Sequence, residues 1–318
     1  MGCINKMPLK VVYGDFTLGV HGEGFNYIFS YAQCGLESLV KNGYEWLYRC
    51  PKPTFWRALT DNDRGSKFNL KSGCWLSADC FIDCTEIEVI VDGISQRKPC
   101  APDNNRYGGN VEAKEVCVRF TYQTITVPAT TVDVLYTVRE DGSIHTDICY
   151  HGMAGLPQLP TFGMRFIMPT LADKYLYEGL SGETYPDRKM GAQQGIFEIK
   201  DLSLTQYLVP QECGMKMDTK WLEITRSKSL DNSWKDAGPH TLRIEMDEKE
   251  FAFSCLPYTA SEIENATHHE ELPPARRTVL CVYGAVRGVG GIDSWGSDVE
   301  DHYHIHAEED IRYSFIIR

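Results

Sequence analysis

The sequence predicts an all-β protein of antiparallel strands, and three observations support this fold class. Several segments alternate apolar and polar residues with a period of two, patterns with helical spacing are scarce, and polar turns separate the alternating segments. With 318 residues, 42% of them hydrophobic and 24% charged, the chain can bury a sizeable core and has the composition of a globular protein. We expect stacked sheets whose long loops carry the function.

The predicted strands follow one another along the chain. Alternation is clearest in four segments: residues 86–91, 116–122, 132–138 and 311–317. Residues 140–143 have the composition of a hairpin turn, so the strands on either side are expected to pair antiparallel. The polar stretch over residues 218–239 is predicted to be a hairpin with a long tip. The best helical candidate spans residues 259–268, in which Thr259 and Glu262 have the spacing of a capping box.

The net charge and the length of the apolar runs exclude two classes of partner. The formal net charge is −12, from 32 Lys and Arg against 44 Asp and Glu, and this field repels nucleic acid and anionic membranes. No apolar run approaches the roughly 20 residues that span a bilayer, and the N-terminal residues lack the apolar core of a signal peptide. We expect a cytoplasmic protein with no nucleic-acid or membrane partner. Residues 1–318 are expected to form a single domain, with residues 1–10 as a flexible lead.

The chain contains twelve cysteines, which raises the question of disulfides or a metal site. No C-x-x-C pair and no tight cluster occurs among them, so reduced thiols are the expected state in a chain without a signal sequence. Four of them lie in strand-like apolar runs, where a thiol behaves as a small hydrophobic side chain and is expected to be buried: Cys117, Cys149, Cys255 and Cys281.

The first stretch with possible chemistry is PTFWRALTDNDRGSKFN, residues 53–69. The carboxylates of Asp61 and Asp63 suit an Asx-rich turn in which they cap backbone N–H groups. From Gly65 onward the segment is polar and poor in strand signal, and the alternative is that it moves. Calcium is disfavoured, because the D-x-D spacing lacks the glycine and the distal glutamate of an EF-hand loop.

The second stretch is YEGLSGETYPDRKMG, residues 177–191, with several charged side chains around a proline turn. Two carboxylates such as Glu178 and Glu183 can serve as acid and base in glycoside cleavage if a loop brings them together. The alternative is a structural loop, in which Arg188 is held by Asp187 or Glu183 and keeps the backbone rigid.

The third stretch is DHYHIHAEED, residues 301–310, which places His302, His304 and His306 at a period of two. On a strand these imidazoles would project from one face, and three of them can bind zinc. An edge strand also tolerates histidines for other reasons, and no residue that would orient the rings can be named. No metal site is assigned to this chain, and the question of a metal at these histidines stays open.

The fourth stretch is GVGGIDSWGSD, residues 288–298, in which Trp295 stands among glycines beside Asp293 and Ser294. A glycine-rich turn has few side chains of its own with which to cover an indole. An exposed ring flanked by hydroxyl and carboxylate groups is typical of a sugar site, where the apolar face of a pyranose packs on the ring. The alternative is that Trp295 belongs to the core.

The chain resembles the C-terminal domain of long bacterial β-galactosidases of glycoside hydrolase family 2, and more closely the free-standing small subunit of two-chain β-galactosidases. The resemblance extends from about Val11 to the end of the sequence. Four motifs carry it in this order: FWRALTDNDRG, YEGLSGETYPDR, PYTASEIENATH and GGIDSWGSD. It implies an antiparallel β supersandwich similar to galactose mutarotase, which agrees with the alternating pattern.

The resemblance implies that catalysis is divided between two chains. In the family, the two catalytic glutamates and the catalytic magnesium lie on a (β/α)₈ barrel. This sequence has no alternating series of strands and helices, so a large catalytic β-galactosidase subunit is the expected partner and carries the magnesium. No catalytic residue and no cofactor is expected here. The assembled enzyme would hydrolyse terminal β-galactosides such as lactose with retention, or transfer galactose to acceptor sugars, and this chain alone would be inactive.

The resemblance also implies roles for particular residues. Trp295 corresponds to a tryptophan that stacks on the substrate sugar, with Asp293 and Ser294 beside it as further substrate-binding residues. Four positions correspond to a mobile loop near the site: Asp63, Gly65, Ser66 and Lys67. Beyond Gly65 the sequence departs from that of the long enzymes. Three positions correspond to a structural loop: Glu183, Asp187 and Arg188.

Two other functions stay open from the residues alone. An aldose mutarotase on the same kind of sandwich needs a histidine acid and a glutamate base in one groove, and the available pairs are His145 or His151 with Glu178. A binding module that holds galactosides without chemistry needs neither group.

Overall fold

The computed structural model describes residues 7–96, 98–101, 111–232, 238–293 and 296–318. Within these residues there are twenty-one β-strands: β1 (Leu9–Tyr13), β2 (Thr17–Gly22), β3 (Phe25–Ser30), β4 (Gly35–Lys41), β5 (Tyr44–Glu45), β6 (Arg49–Thr54), β7 (Asp83–Val91), β8 (Ile94–Ser95), β9 (Val111–Ala113), β10 (Glu115–Gln123), β11 (Thr131–Arg139), β12 (Ile144–Tyr150), β13 (Thr161–Met168), β14 (Lys174–Leu180), β15 (Gln194–Ile199), β16 (Lys216–Thr219), β17 (Trp221–Arg226), β18 (His240–Met246), β19 (Phe251–Leu256), β20 (Thr278–Val286) and β21 (Ile311–Ile317).

Helical structure is limited to short pieces in the described part of the chain. Three are α-helices: α1 (Asp61–Gly65), α2 (Phe68–Ser72) and α3 (Ala260–Asn265). Three are single 3₁₀ turns: Gly73–Trp75, His269–Glu271 and Asp301–Tyr303. None of the helices in these described ranges has the length and apolarity needed to cross a bilayer.

The strands form three sheets in which neighbouring strands run antiparallel. The largest has ten strands in the order β15-β14-β17-β18-β21-β12-β11-β10-β7-β8. A six-stranded sheet has the order β5-β4-β3-β2-β1-β9, and a five-stranded sheet has the order β16-β19-β20-β13-β6. The predicted fold class, all-β with antiparallel sheets, is confirmed.

A continuous core joins the three sheets. The rings of Phe29 in the six-stranded sheet and Tyr136 in the ten-stranded sheet lie 5.7 Å apart between centroids. Tyr150 in the ten-stranded sheet and Phe162 in the five-stranded sheet lie 5.4 Å apart. All four side chains are fully buried, so large aromatic rings fill the space between the layers.

The predicted strand segments are confirmed, because they form β7, β10, β11 and β21 of the ten-stranded sheet. The turn at residues 140–143 joins β11 to β12, which pair antiparallel with Val138 opposite Ile144. Across the polar stretch, β17 and β18 also pair antiparallel, with Trp221 opposite Glu245. Residues 233–237 lie outside the described residues, so the long tip of this hairpin stays a prediction.

The predicted helix near residue 260 is confirmed: α3 occupies six of the ten candidate residues. Glu262 N–H donates to Thr259 Oγ1 (3.2 Å), and Thr259 N–H donates to Glu262 Oε2 (2.7 Å), which is the reciprocal pattern of a capping box. Ile263 is buried beneath the helix. By contrast, α1 and α2 were not predicted, because helices of five residues are too short to show a helical period.

Two local predictions are wrong. Residues 302–306 do not form a strand, because a 3₁₀ turn over Asp301–Tyr303 is followed by irregular backbone. The period of two in the sequence therefore does not place the three histidines on one face of a strand. Leu9 and Lys10, predicted to belong to a flexible lead, lie in β1, where Leu9 is fully buried and pairs with Ala113 of β9.

The described cysteines are all free thiols. Cys255 and Cys281 are buried, as predicted. Cys117 and Cys149 are only half-buried, because the alternation of β10 and β12 directs them to the polar face of the ten-stranded sheet. For these two thiols the prediction of a buried hydrophobic role is wrong.

Candidate functional site

The motifs that carry the family resemblance meet around one backbone turn. This turn consists of residues 288–291 and is called here the anchored turn. From the first motif, Arg57 Nη2 donates to the carbonyl oxygen of Gly288 (3.1 Å), and Asn62 Nδ2 donates to that of Val289 (3.1 Å). The side chains thus hold consecutive carbonyl groups that a free turn would expose to water.

The second motif holds the same turn from another side. Asp187 accepts hydrogen bonds from the backbone N–H groups of Val289 (3.0 Å) and Gly290 (2.8 Å), and Arg188 donates to the carbonyl oxygen of Gly290. The prediction that Arg188 pairs with Asp187 or Glu183 is wrong. Within the described residues, the guanidinium of Arg188 contacts the anchored turn instead.

Glu183 braces a different part of the same loop region. Its Oε2 accepts from Thr205 Oγ1 (2.8 Å) and from the N–H of Gly214 (2.8 Å). These bonds tie the second motif to the segment before β16. The geometry is that of a structural carboxylate, since both partners come from the protein's own backbone and a neighbouring hydroxyl group.

A buried ion cluster lies directly beneath the anchored turn and consists of Arg57, Asp63 and Arg287. The side chains of Arg57, Asp63 and Arg287 are 0%, 1% and 1% exposed. Arg57 forms a bidentate pair with Asp63, at 2.7 Å from Nη1 to Oδ2 and 3.2 Å from Nη2 to Oδ1, and Arg287 Nη1 lies 3.3 Å from Oδ1. Arg287 also pairs with Asp298, the last residue of the fourth motif, so the cluster connects α1 to the end of that motif.

The cluster keeps Asp63 charged in spite of its burial. Burial alone would raise the pKa of Asp63, but the guanidinium of Arg57 outweighs it and holds the pKa of this carboxyl below its usual value. Asp63 also caps α1, because its Oδ2 accepts from Thr60 N–H (2.9 Å) while its own N–H donates to Thr60 Oγ1 (3.2 Å). The predicted capping role of the carboxylates in this stretch is confirmed for Asp63.

The third motif reaches the site through one side chain of α3. Glu264 Oε2 accepts from the N–H of Leu59 (2.7 Å), and its Oε1 accepts from Arg64 Nη2 (3.1 Å). The helix therefore fixes the backbone just before α1 and the side chain within α1. All four motifs are thus part of one structural unit.

Glycines let the backbone segments of this unit approach closely. Gly290 and Gly291 have φ values of 73° and 85°, in the left-handed region that favours glycine. A Cβ on Gly296 would lie 2.5 Å from the carbonyl oxygen of Gly65, so the segment after Trp295 packs against the end of α1. The predicted mobile loop and the tryptophan motif are therefore in direct contact.

The predicted substrate-binding residues are only partly described. Trp295 and Ser294 lie outside the described residues. Asp293 is exposed, and its carboxylate accepts hydrogen bonds from the N–H and the hydroxyl of Ser297. The roles of these three residues in sugar binding remain predictions.

The predicted mobile-loop residues occupy two kinds of position. Asp63 is buried in the ion cluster and anchors the segment. Gly65 and Lys67 are exposed, and Ser66 donates from its hydroxyl to the carbonyl oxygen of Asp63 (3.2 Å). Lys67 has a φ of 60° between α1 and α2, a conformation that a lysine rarely adopts. Movement of this segment remains a prediction.

The histidine–glutamate pairs predicted for a mutarotase, His145 or His151 with Glu178, do not come together. A groove of about 680 Å³ on the ten-stranded sheet contains His145, whose ring nitrogens lie 2.8 Å from Asp147 and 2.7 Å from Asp247. Glu178 is not among the described residues that line this groove and instead accepts from Lys220 Nζ (2.8 Å). His151 pairs with Asp133 instead, with Nε2 lying 2.7 Å from Oδ2.

The three histidines of the third stretch do not converge on one point. His304 is held by Gln158 at Nδ1 (2.9 Å) and by the carbonyl oxygen of Val299 at Nε2 (3.1 Å). The ring of His302 lies against Tyr303, 3.9 Å between centroids. No set of converging donor atoms in the described ranges contains all three histidines.

A small polar cavity of about 200 Å³ lies beside the anchored turn, lined in part by Asn62, Tyr185, Glu212 and Val289. Glu212 is buried, and Tyr185 donates from its hydroxyl to Glu212 Oε1 (3.4 Å). Burial raises the pKa of Glu212 to about 8. This carboxyl therefore holds a proton in the native state at neutral pH.

The raised pKa of Glu212 predicts a pH-dependent free energy of unfolding. The unfolded chain loses this proton near the ordinary glutamate value of 4.5, whereas the native state keeps it to about 8. The contribution of this group to the free energy of unfolding is complete below the unfolded-state pKa of 4.5. It is lost as the pH rises from there through the native pKa of about 8. We expect Glu212→Gln to flatten this decline in urea-denaturation curves recorded between about pH 5 and pH 8. Glu270→Gln, on the surface, serves as the control, and equal slopes for all three proteins would contradict the prediction.

The fold and the site define a class of protein: an antiparallel β-sandwich that presents a glycine-rich turn anchored by a buried ion cluster. Residues 21–317 match the family model described as Beta galactosidase small chain. The chain belongs to this family, and the resemblance drawn from the four motifs is confirmed.

Relatives occur as a separate chain of the same size and as part of much longer chains. A β-galactosidase small subunit from Latilactobacillus sakei is 57% identical over 309 residues, which are 97% of this chain and 97% of that protein. A β-galactosidase from Halalkalibacterium halodurans is 36% identical over 327 aligned residues, covering 100% of this chain and 29% of that protein. The chain thus spans less than a third of the length of the second relative.

A galactose mutarotase-like protein from Lactobacillus casei is among the solved structures that match this chain. It has 9% sequence identity, a TM-score of 0.41, and coverage of 95% of this chain and 99% of that chain. An overlap at this level carries no argument about activity.

The sequence did not single out the residues that hold the site together. Arg57 and Asn62 lie in the first stretch without a local pattern that predicts their contacts, and the same is true of Arg287 and Glu264 in their own segments. One signal was present: Thr60 and Asp63 have the spacing of a capping box. Nothing in the local sequence indicates that Arg287 shares a carboxylate with Arg57, 230 positions earlier in the numbering.

Proposed function

We propose that this chain acts as the small subunit of a two-chain β-galactosidase and that its anchored turn completes the sugar pocket of a large catalytic subunit. The observation that carries the proposal is the near full-length similarity to a small subunit, combined with similarity to a segment of a much longer β-galactosidase. One segment thus occurs both as a separate chain and within a longer one, which is what a division of one enzyme between two chains requires.

The reaction of the assembled enzyme is retaining hydrolysis of terminal β-galactosides such as lactose. The catalytic carboxylates and the magnesium belong to the large subunit in this proposal. This chain contributes Trp295 as a surface on which the sugar stacks, with Asp293 and Ser294 available to its hydroxyl groups. Its effect is to orient the substrate and to exclude water, rather than to make or break bonds.

The anchored turn suits this role because its base is fixed before any partner binds. Side chains of Arg57, Asn62, Asp187 and Arg188 hold the backbone of residues 288–290. A loop that is already ordered loses less conformational entropy when a ligand or a partner docks, so more of the contact free energy appears as affinity. The described geometry therefore supports a preorganised recognition loop.

The test is reconstitution of activity from separately purified chains. We expect this chain alone to show no hydrolysis of a chromogenic β-galactoside and the mixture with the large subunit to hydrolyse it. Hydrolysis by this chain alone would refute the division of labour. A mixture that stays inactive, although both chains are folded, would refute the proposed partnership.

The same material distinguishes the two other functions. An aldose mutarotase would accelerate the mutarotation of α-galactose in a polarimeter without any partner. A galactoside-binding module would bind lactose alone, with an affinity that the large subunit does not change. We expect neither result.

A further inference from the structure

A group of three potential metal ligands lies at one end of the ten-stranded sheet, in residues that have no role in the proposed function. Cys149 is on β12, His151 follows that strand, and Asp310 precedes β21. One donor atom from each, a sulfur, a ring nitrogen and a carboxylate oxygen, lies within 4.8 Å of the other two. None of these residues belongs to the anchored turn or to the buried ion cluster.

The strand register explains why the thiol faces the other two groups. On β12, Ile148 and Tyr150 are buried, so Cys149 between them points to the polar face. Cys149 pairs with Asp133 of β11 on one side and with Arg312 of β21 on the other. Side chains from three adjacent strands are thus directed to one patch of the surface.

The backbone around His151 and Asp310 is fixed in a way that keeps them together. Gly152 N–H donates to Asp310 Oδ1 (2.9 Å), and Met153 N–H donates to the carbonyl oxygen of Ala307 (2.9 Å). A Cβ on Gly152 would lie 2.2 Å from the carbonyl oxygen of Glu308, so the two segments are in close backbone contact that requires glycine. The separation of the ligands is therefore set by the fold rather than by flexible loops.

Asp133 orients the ring of His151 in the way that carboxylates orient metal-binding histidines. Its Oδ2 lies 2.7 Å from His151 Nε2, so the ring donates its proton there and keeps a lone pair on Nδ1. Histidines that bind metals usually donate their second nitrogen to a carboxylate, which fixes the tautomer and makes the ring a better ligand.

We propose that Cys149, His151 and Asp310 bind a single zinc ion, with a fourth position open to water. Zinc accepts this mixture of sulfur, nitrogen and oxygen donors in a tetrahedral arrangement. At ordinary zinc–ligand bond lengths, the donor atoms would lie about 3.3–3.6 Å apart, so shifts of about 1 Å complete the site. On binding, the thiol of Cys149 releases its proton and the thiolate bonds to the ion.

The positive charge of Arg312 repels a bound cation and should lower the affinity for metal. Its removal therefore tests the site by an expected gain in affinity rather than a loss. Its Nη2 lies 3.2 Å from Asp310 Oδ2, and the side chain is 72% exposed, so it can turn toward solvent when a cation enters. Zinc would replace the ion pair between Arg312 and Asp310. Removal of the positive charge should therefore tighten metal binding, on the order of tenfold for one unit charge near a divalent ion in a solvated site.

The experiment is a titration of the purified full-length chain with Co²⁺, followed by displacement with Zn²⁺. We expect one equivalent of cobalt to give cobalt–thiolate charge-transfer absorption, and one equivalent of zinc to remove it. Cys149→Ser should abolish this absorption, and Asp133→Asn should weaken binding by roughly 10–100-fold. Arg312→Met should bind cobalt more tightly than the unmodified chain.

The matched control is Cys117→Ser, which removes another half-buried thiol from the polar face of the same sheet. It should leave the cobalt absorption unchanged. Absorption that survives Cys149→Ser, or a wild-type chain that shows none with excess cobalt, would overturn the proposal. The gain in affinity for Arg312→Met cannot arise from misfolding, and a loss or no change in that variant would also count against the site.

Discussion

Replacing Asp63 by alanine is expected to lower the free energy of unfolding by about 3–5 kcal/mol. The substitution leaves the guanidinium groups of Arg57 and Arg287, both at most 1% exposed, without their shared carboxylate. An unpaired charge in the interior costs far more than the intact pair contributes, because desolvation is no longer compensated. Equilibrium denaturation in urea measures the change directly.

The neighbouring carboxylate Asp61 provides the control for this effect. It lies in the first turn of the same helix, but its side chain is 57% exposed and its nearest arginine contact, to Arg64, is 4.0 Å. Asp61→Ala should cost no more than about 1 kcal/mol. Asp63→Asn keeps the size of the side chain but removes its charge. Its loss in the free energy of unfolding should therefore be closer to that of Asp63→Ala than to that of Asp61→Ala. Similar losses for Asp61→Ala and Asp63→Ala would show that the cluster is not the anchor described above.

The second large effect is expected on substrate binding by the assembled enzyme. Asp187→Ala removes the acceptor that holds the N–H groups of Val289 and Gly290, so the anchored turn loses one of its attachments. We expect the KM for lactose to rise by roughly 3–10-fold, the equivalent of about 0.7–1.4 kcal/mol, with a smaller change in kcat. Steady-state kinetics with lactose and with an aryl β-galactoside measure both constants.

A double-mutant cycle with Trp295→Ala tests how Asp187 acts. Trp295→Ala should raise the KM for lactose more than that for an aryl galactoside. If Asp187 works only by positioning the tryptophan, Asp187→Ala should have little further effect once Trp295 is absent. Additive effects would mean that Asp187 supports substrate binding by another route. An unchanged lactose KM in Trp295→Ala would contradict the stacking role itself.

The sheets could be predicted from the sequence because a buried strand leaves a period-two pattern. Val116, Val118, Phe120 and Tyr122 alternate with polar residues, and all four are buried on β10. The two helices near the site could not, since five residues give no period and their stability comes from Asp63 and Phe68 beneath them. The strand predicted from the alternating histidines was wrong for a related reason. A period of two indicates a strand only when the alternating residues are apolar and therefore mark a buried face.

The candidate site could be predicted in its parts but not as an assembly. The four motifs indicate which segments form the site, and the resemblance implies a structural role for Glu183 and Asp187. The contacts that join the segments, such as Arg57 to Gly288, connect residues separated by 231 positions, and no local pattern encodes them. The same holds for Cys149 and Asp310, which were far apart in sequence and therefore did not look like a cluster.

The position of β21 has a consequence for how the protein is made. It is the last described strand in chain order, yet it lies between β12 and β18 and pairs with both. During synthesis on the ribosome, the two halves of the ten-stranded sheet cannot be joined until residues 311–317 have emerged. Until then β12 and β18 present unpaired backbone edges, to which other nascent chains or a chaperone can bind. Late translation of one strand thus sets the interval in which this chain is most exposed to aggregation.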